Sequence, residues 1–377
     1  VAEDQIERVA DQYPAFAAQF AKLYHLYRTN AQRLEAIDEA LGSDTLSGGR
    51  LPWEEVRDWF NAADNYVHLI DSRAEDIAIA LAGQGASPDT AQLTAWFAGR
   101  GITLRMETTS VMRSYDEEKR ELLLNANQPT ETLRFQMAFQ ICAIVLEQEI
   151  HETVASSHLV MQTARRLLTL GLTNYAAGAL LMPYRNFRNA ARGLRHDIDQ
   201  LRQIFSVSFE QACHRLSTLQ RPHARGVPVF FCKIDMGGNI TKRHAANGLQ
   251  FARFAGSCPL WIAHEAVTVP ERMHLQIAEM PEGGRYVFLA RGQLKPSDSF
   301  FQPPRRHALV LGWEASLAGE FVYADTLNMA CEGAVARIGI SCRICSRLDC
   351  QQRAYPPNEK QISVDTSRRG AIPYEIS

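Results

Sequence analysis

Three of the eight cysteines in this 377-residue chain fall within nine positions, as Cys342-x2-Cys345-x4-Cys350 in the run SCRICSRLDCQQRAYP. A Cys-x2-Cys pair brings two thiolates to one small centre, and the third cysteine can close on it. The spacing therefore ties the C-terminal segment to a metal or cluster site. Three thiolates leave one tetrahedral position open, for which Cys331, Cys258, Cys232, a histidine or an exogenous ligand are candidates. Cys258 is favoured over Cys331, because it precedes Pro259 in a Gly-Ser turn and a Cys-Pro step recurs at cluster-binding loops. Spacing alone leaves zinc and iron–sulfur both open, with zinc slightly ahead. Cys142, Cys213 and Cys232 lie in apolar or helical runs and read as buried core thiols.

Composition narrows the classes. At 46% hydrophobic residues the chain can bury separate cores in roughly two or three domains. With 22% charged residues and a net charge of -2, the chain as a whole offers no electrostatic footprint for nucleic acid. No apolar run approaches the ~18 residues of a membrane span, so no membrane association is expected. No charged-then-apolar signal opens the sequence, which makes the cytoplasm the expected location and metal binding the expected use of clustered cysteines. The chain starts at Val1 rather than Met, as a piece of a longer protein would.

Phe16, Phe20, Leu23, Tyr27, Leu34, Ile37 and Leu41 recur at steps of three, four and seven, which marks one helical stripe. It faces either the core or another subunit. A helical pattern returns over 52–82. Ser87-Pro88 then reads as N-cap and first helical residue, with Gly99 and Gly101 as the stop. Residues 102–106 and 120–125 read as short strands, and a long helix is expected from Glu131 to His151. Ser208-x-x-Gln211 has the form of a capping box, opening a helix that runs to about Arg221-Pro222. From Val227 the composition changes to strand-like runs split by Gly and Pro, among them VPVFFCKI, RYVFLARG and HALVLGWE.

Residues 134–146, RFQMAFQICAIVL, resemble the active-site helix of ImmA/IrrE-like metallopeptidases, and NYAAGALLMP (174–183) resembles a second stretch of that family. The alignment puts Phe139 at the first zinc histidine, Gln140 at the glutamate base, Ala143 at the second histidine and Leu172 at the third ligand. Zinc hydrolysis needs two histidines at i, i+4 and a carboxylate beside them. All four positions have lost that chemistry, so the scaffold is expected without the peptidase activity.

GGNITKRHAANGLQFARFAGSCPLWIAHEA (237–266), LMPYRNF, SVSFEQACHRLSTLQRP and IGISCRICSRLDCQQRAYPP resemble signatures of the short-chain fatty acyl transcriptional regulators of propionate and acetate metabolism. The resemblance runs from about residue 13 to 357. It implies an α+β chain with four parts. These are a helical oligomerisation region (1–100), a degenerate ImmA/IrrE-like domain (101–222), an α+β ligand-sensing domain (223–336) and a cysteine-rich tail (337–377). It also implies a non-enzymatic sensor of CoA or a short-chain acyl-CoA such as propionyl-CoA, assembled as a homotetramer. DNA would be contacted by a helix-turn-helix outside this chain. The resemblance moves the metal reading from zinc to a [4Fe–4S] cluster on Cys342, Cys345 and Cys350, with Cys258 as fourth ligand and Cys331 still open.

For the CoA phosphates, Gly237-Gly238 followed by Lys242-Arg243 offers turn amides and two cations, with Arg253 between Phe251 and Phe254 as a further candidate. Arg185, Arg188, Arg192 and Arg195, spaced along one helix face, are either a phosphate grip or a solvated surface. Two other classes remain. A structural zinc knuckle would bind no ligand. An enzyme would need an acid–base pair, for which only His264-Glu265 and Asp349 lie near the cysteines in sequence.

Overall fold

The computed structural model describes residues 12–20, 23, 51–84, 86–246, 257–295, 297, 299–357, 360–368 and 370–376. The chain divides into two compact units, 1–51 and 52–377. In the first, residues 14–20 are helical; Phe16, Phe20 and Leu23 of the expected stripe are exposed, as is Tyr13. Tyr27, Leu34, Ile37 and Leu41 lie outside the described residues, as does Arg253.

The second unit is α+β. Its helices are α1 (Pro52–Ala62), α2 (His68–Ala82), α3 (Thr90–Ala98), α4 (Thr130–Val145), α5 (Glu147–Ala155), α6 (Gln162–Leu181), α7 (Tyr184–Gly193), α8 (Ile198–Phe205), α9 (Phe209–Ser217) and α10 (Ala263–Thr268). A three-stranded sheet pairs β1 (Thr103–Glu107) parallel to β3 (Glu121–Asn125), with β2 (Arg113–Asp116) antiparallel to β3. A six-stranded sheet has the order β5-β4-β8-β7-β6-β9, from β4 (Phe230–Asp235), β5 (Ile240–Ala245), β6 (Met273–Glu279), β7 (Arg285–Lys295), β8 (Arg305–Glu314) and β9 (Val335–Arg337). It is antiparallel except for β9, which runs parallel to β6.

Local chemistry accounts for most boundaries. Ser208 caps α9 and Gln211 answers it, the expected box, but the helix stops at Ser217, short of Arg221. Asp89, not Ser87, caps α3 through a box with Gln92. The Ser87 hydroxyl instead donates to the Leu181 carbonyl at 2.5 Å, so an intramolecular tie displaces the expected cap. The helix expected over 131–151 breaks at Leu146, where φ -106 and ψ 19 leave the helical region.

The helix α6 carries the core of the helical layer: Leu168, Leu172, Ala176 and Ala179 are fully buried, and Pro183 ends the run. Against it sits buried Asp71, which accepts from Tyr175 Oη (2.6 Å), Arg215 Nη1 (2.6 Å) and Arg221 Nη2 (3.1 Å). A carboxylate fully removed from water persists only when so satisfied.

The large sheet is covered on both faces. By strand alternation Phe231, Leu309, Leu311 and Leu289 face the helical layer, whereas Phe230, Cys232, Val310, Ala308 and Phe288 face α10 and the segment bearing Cys258. The helix α10 comes so close to β7 that a Cβ on Gly292 would stand 2.1 Å from the Ala266 carbonyl.

Candidate cysteine centre

Cys258, Cys342, Cys345 and Cys350 line one small cavity, together with Gly339, Arg337, Arg347 and Arg353. Cys258 arrives from the loop before α10, and the other three from the segment after β9. Cys258 and Cys345 are buried, Cys342 and Cys350 half-buried, and Cys331 is exposed and outside the cavity. Among the described residues no three Cys, His, Asp or Glu side chains stand where they could hold one metal ion.

Hydrogen-bond donors line the cavity. The Cys258 sulfur accepts the backbone N–H groups of Leu260 and Gly339; burial pushes its thiol up, and these two donors oppose that. Gly339 must lack a side chain, since a Cβ there would lie 2.7 Å from Cys345 Sγ. Arg353, 6% exposed, donates to the carbonyls of Cys342 (3.0 Å), Cys345 (3.4 Å) and Arg347. Its Nε–H is buried without a hydrogen-bond partner among the described residues. Arg347, also buried, donates to the carbonyls of Ile338 (3.1 Å) and Glu279 (2.6 Å), and pairs loosely with the Glu279 carboxylate at 3.6 Å. Arg337 is engaged by Asp349. Buried arginines beside four neutral thiols would be costly, whereas beside an anionic centre they offset its charge. The donor set and its lining thus fit a thiolate-bound cluster. Sequence reasoning missed these arginines; the only signal was that Arg347 and Arg353 flank Cys350 at three residues on either side.

The metallopeptidase-like site is closed in a different way. Phe139, Gln140 and Leu172 are buried and Ala143 half-buried. Arg113 of β2, which sequence reasoning passed over, lies over the Phe139 ring at 3.8 Å and donates to Gln140 Oε1. A fixed guanidinium thus sits against the positions where the resemblance puts a zinc histidine and a glutamate base. Burial holds it below its ordinary pKa, and no carboxylate offsets that.

Lys242 and Arg243 lie on β5, not in the loop expected from the sequence, and successive strand residues point to opposite faces. The Gly237 and Asn239 amides of the preceding turn are already taken by Asp235 Oδ1, both at 2.9 Å. Arg195 makes a two-point pair with Asp325 at 2.7 Å, and Arg188 donates to the Arg225 carbonyl, so both are anchored within the fold. Asp349 is engaged by Arg337, and the His264 Nε2 partner is Ser257 Oγ at 3.1 Å, so neither assembles an acid–base pair.

The helical layer thus has Phe139, Gln140, Ala143 and Leu172 at the metallopeptidase-like positions, and the far face of the large sheet carries the four cysteines. Residues 100–217 match the IrrE N-terminal-like domain, and residues 218–374 match the C-terminal domain of the short-chain fatty acyl coenzyme A regulators. The chain is 44% identical to a propionyl-CoA carboxylase regulator of Cereibacter sphaeroides, over 98% of this chain and 78% of the relative. It is 34% identical to the HTH-type transcriptional regulators RamB (99% and 80% covered) and PrpR (98% and 77%) of Mycobacterium tuberculosis. A solved Mycobacterium tuberculosis transcriptional regulator superposes with a TM-score of 0.82 at 36% identity, covering 86% of this chain and all of that one. The chain belongs to the short-chain fatty acyl coenzyme A regulator family, and its relatives are named as regulators rather than enzymes. Among the described residues no helix is long and apolar enough to cross a membrane.

Proposed function

We propose that this chain is the effector-sensing part of a transcriptional regulator of short-chain acyl-CoA metabolism. It binds CoA or a short-chain acyl-CoA, and it holds a [4Fe–4S] cluster on Cys258, Cys342, Cys345 and Cys350. The observation that carries the second half is the convergence of four cysteines, from segments more than eighty residues apart, on one cavity with buried arginines in its wall. The cluster supplies an electron-accepting, iron-dependent centre; the chain's own residues hold it, shield it and balance its charge.

The effector half rests on the family and on the names of its relatives, one of which is a propionyl-CoA carboxylase regulator. The relatives RamB and PrpR are named HTH-type regulators, and DNA contact through a helix-turn-helix is the part of this reading taken from those names. Homotetramer assembly completes the reading, and the exposed Tyr13, Phe16, Phe20 and Leu23 stripe supplies an apolar face for it. To act as a switch, the effector must prefer one state of the regulator by ~2–5 kcal/mol. Calorimetric titration of anaerobically prepared protein with propionyl-CoA, acetyl-CoA and CoA tests the reading. Saturable binding below about 100 μM supports it, and no heat at about 1 mM contradicts it.

A further inference from the structure

Only six of the forty basic residues in this chain are lysines, and three of them meet at one place. Lys233 of β4 and Lys242 of β5 are direct cross-strand partners. Lys295 ends β7, paired with Arg305 of β8. By register all four side chains belong to the sheet face that the helical layer covers, where α9 contributes Glu210. Lys233 Nζ stands 2.9 Å from Glu210 Oε2, and Lys295 Nζ stands 4.0 Å from the same oxygen. Lys242 Nζ hangs 5.8 Å from the Phe231 ring centroid and, among the described residues, makes no ion pair within 4 Å.

The charges do not balance. Among the described residues Glu210 is the one carboxylate paired with this group of four cations. The neighbouring Arg291 does not add to the excess, because Asp199 (3.1 Å) and Glu271 (2.6 Å) both engage it. Burial pushes Lys242 and Lys295 down against the pull of Glu210; Lys233 and Lys295 lower Lys242 further, and Lys233 and Arg305 lower Lys295 further. The Glu210 carboxyl, raised by burial, is brought below its ordinary value by the three ammonium groups. Beside them, His307 Nδ1 and Gln293 Oε1, cross-strand partners on the same face, are buried without hydrogen-bond partners. Crowded ammonium groups in a half-buried place destabilise one another unless an anion joins them. The place is open to one, since the Lys295 side chain is 41% exposed.

We infer that Lys233, Lys242 and Lys295 form a phosphate-binding site, with His307 as a further hydrogen-bonding group and Glu210 pairing with the lysines until the anion arrives. Lysine serves phosphate as a mobile point charge, and three converging on one spot suit a pyrophosphate or a phosphomonoester. The site excludes Arg243, which points to the other sheet face beside Cys232. The lysines and the cysteine centre therefore lie on opposite faces of one sheet. For the identity of the ligand, though not for the existence of the site, this inference rests on the effector reading above: the phosphates of CoA are one source, and a separate phosphorylated molecule is the other.

The test titrates CoA, acetyl-pantetheine and inorganic pyrophosphate into the anaerobically prepared protein, its Lys233→Gln/Lys295→Gln variant and Glu210→Gln. Each lost ammonium should weaken CoA and pyrophosphate by about tenfold. Acetyl-pantetheine, without phosphates, should be unaffected. Glu210→Gln should tighten both anions, an outcome that a purely structural carboxylate would not give and that keeps the test valid if the double variant fails to fold. Pyrophosphate binding weakened by the double variant, with CoA not bound at all, sustains the lysine site and points to the separate phosphorylated ligand, while the effector reading falls. CoA binding equally well to wild type and double variant, without tightening in Glu210→Gln, overturns the lysine site and leaves the effector reading standing. No binding of either anion to wild type overturns both.

Discussion

The chain carries two places where a metal belongs by resemblance, and they have gone opposite ways. In the helical layer the four positions of a hydrolytic zinc site hold Phe139, Gln140, Ala143 and Leu172, and Arg113 lies against the first two. Behind the large sheet four cysteines from distant segments line one cavity, with arginines in the wall. In both, a guanidinium stands near the centre, but its role differs. Arg113 stacks on an aromatic ring and bonds a neutral amide, which leaves no place for a cation. Arg353 ties carbonyls of the cysteine segment and keeps one N–H unpartnered, which suits an anion. The contrast is between a site filled by neighbouring side chains and a cavity whose wall keeps a buried N–H donor unpartnered.

The sharpest way to break that contrast is Gly339→Ala. A Cβ 2.7 Å from Cys345 Sγ forces the thiolate aside, and iron and sulfide content should drop by about tenfold or more while the helical layer keeps its circular dichroism. Full metal content in this variant would mean that the cavity is looser than its packing suggests.

Acid should act on the body of the fold, away from the cysteines. The His244 ring sits among Phe60, Phe231 and His214, with Nδ1 on Asn65 Oδ1 at 3.0 Å. Burial lowers its pKa to about 3, and the nearby Lys242 and Arg57 charges add to that. The unfolded chain takes up this proton near pH 6.5 and the folded one does not, so stability is present above that value and is lost progressively toward pH 3. By pH 5 this one group costs about 2 kcal/mol. Thermal melts between pH 7 and 5 should show the loss, and His244→Gln should make it shallower; an unchanged slope would remove His244 as the cause.

Arg113→Ala should have the smallest effect. Losing one cation–π contact and one hydrogen bond costs about 1 kcal/mol, read as a shift in urea midpoint. Zinc uptake should not follow, because Phe139, Ala143 and Leu172 offer no ligand. Stoichiometric zinc bound in the helical layer of this variant would show that Arg113 alone had kept a metal out.

What the sequence made legible follows from how local each signal was. The lost zinc site could be read because its residues share one helix at fixed spacing, and the three tail cysteines because they share nine positions. Ser208 and Gln211 were legible as a box for the same reason. Cys258 was reachable only through the Cys-Pro step and the resemblance, since loop and tail meet through β9 pairing with β6. The lysine group was not legible as a group: Lys233, Lys242 and Lys295 are separated by nine and fifty-three residues, and strand register brings them together. The same register separated Lys242 from Arg243, which are adjacent in sequence and opposed in space.

The most direct measurement assays iron, acid-labile sulfide and zinc on protein purified without oxygen, for wild type, Cys258→Ser and Cys331→Ser side by side. The account predicts about four iron and four sulfide per chain in wild type and Cys331→Ser, with a broad absorbance near ~400 nm, and loss of both in Cys258→Ser. One zinc per chain without sulfide, or a cluster that survives Cys258→Ser and is lost in Cys331→Ser, would contradict it.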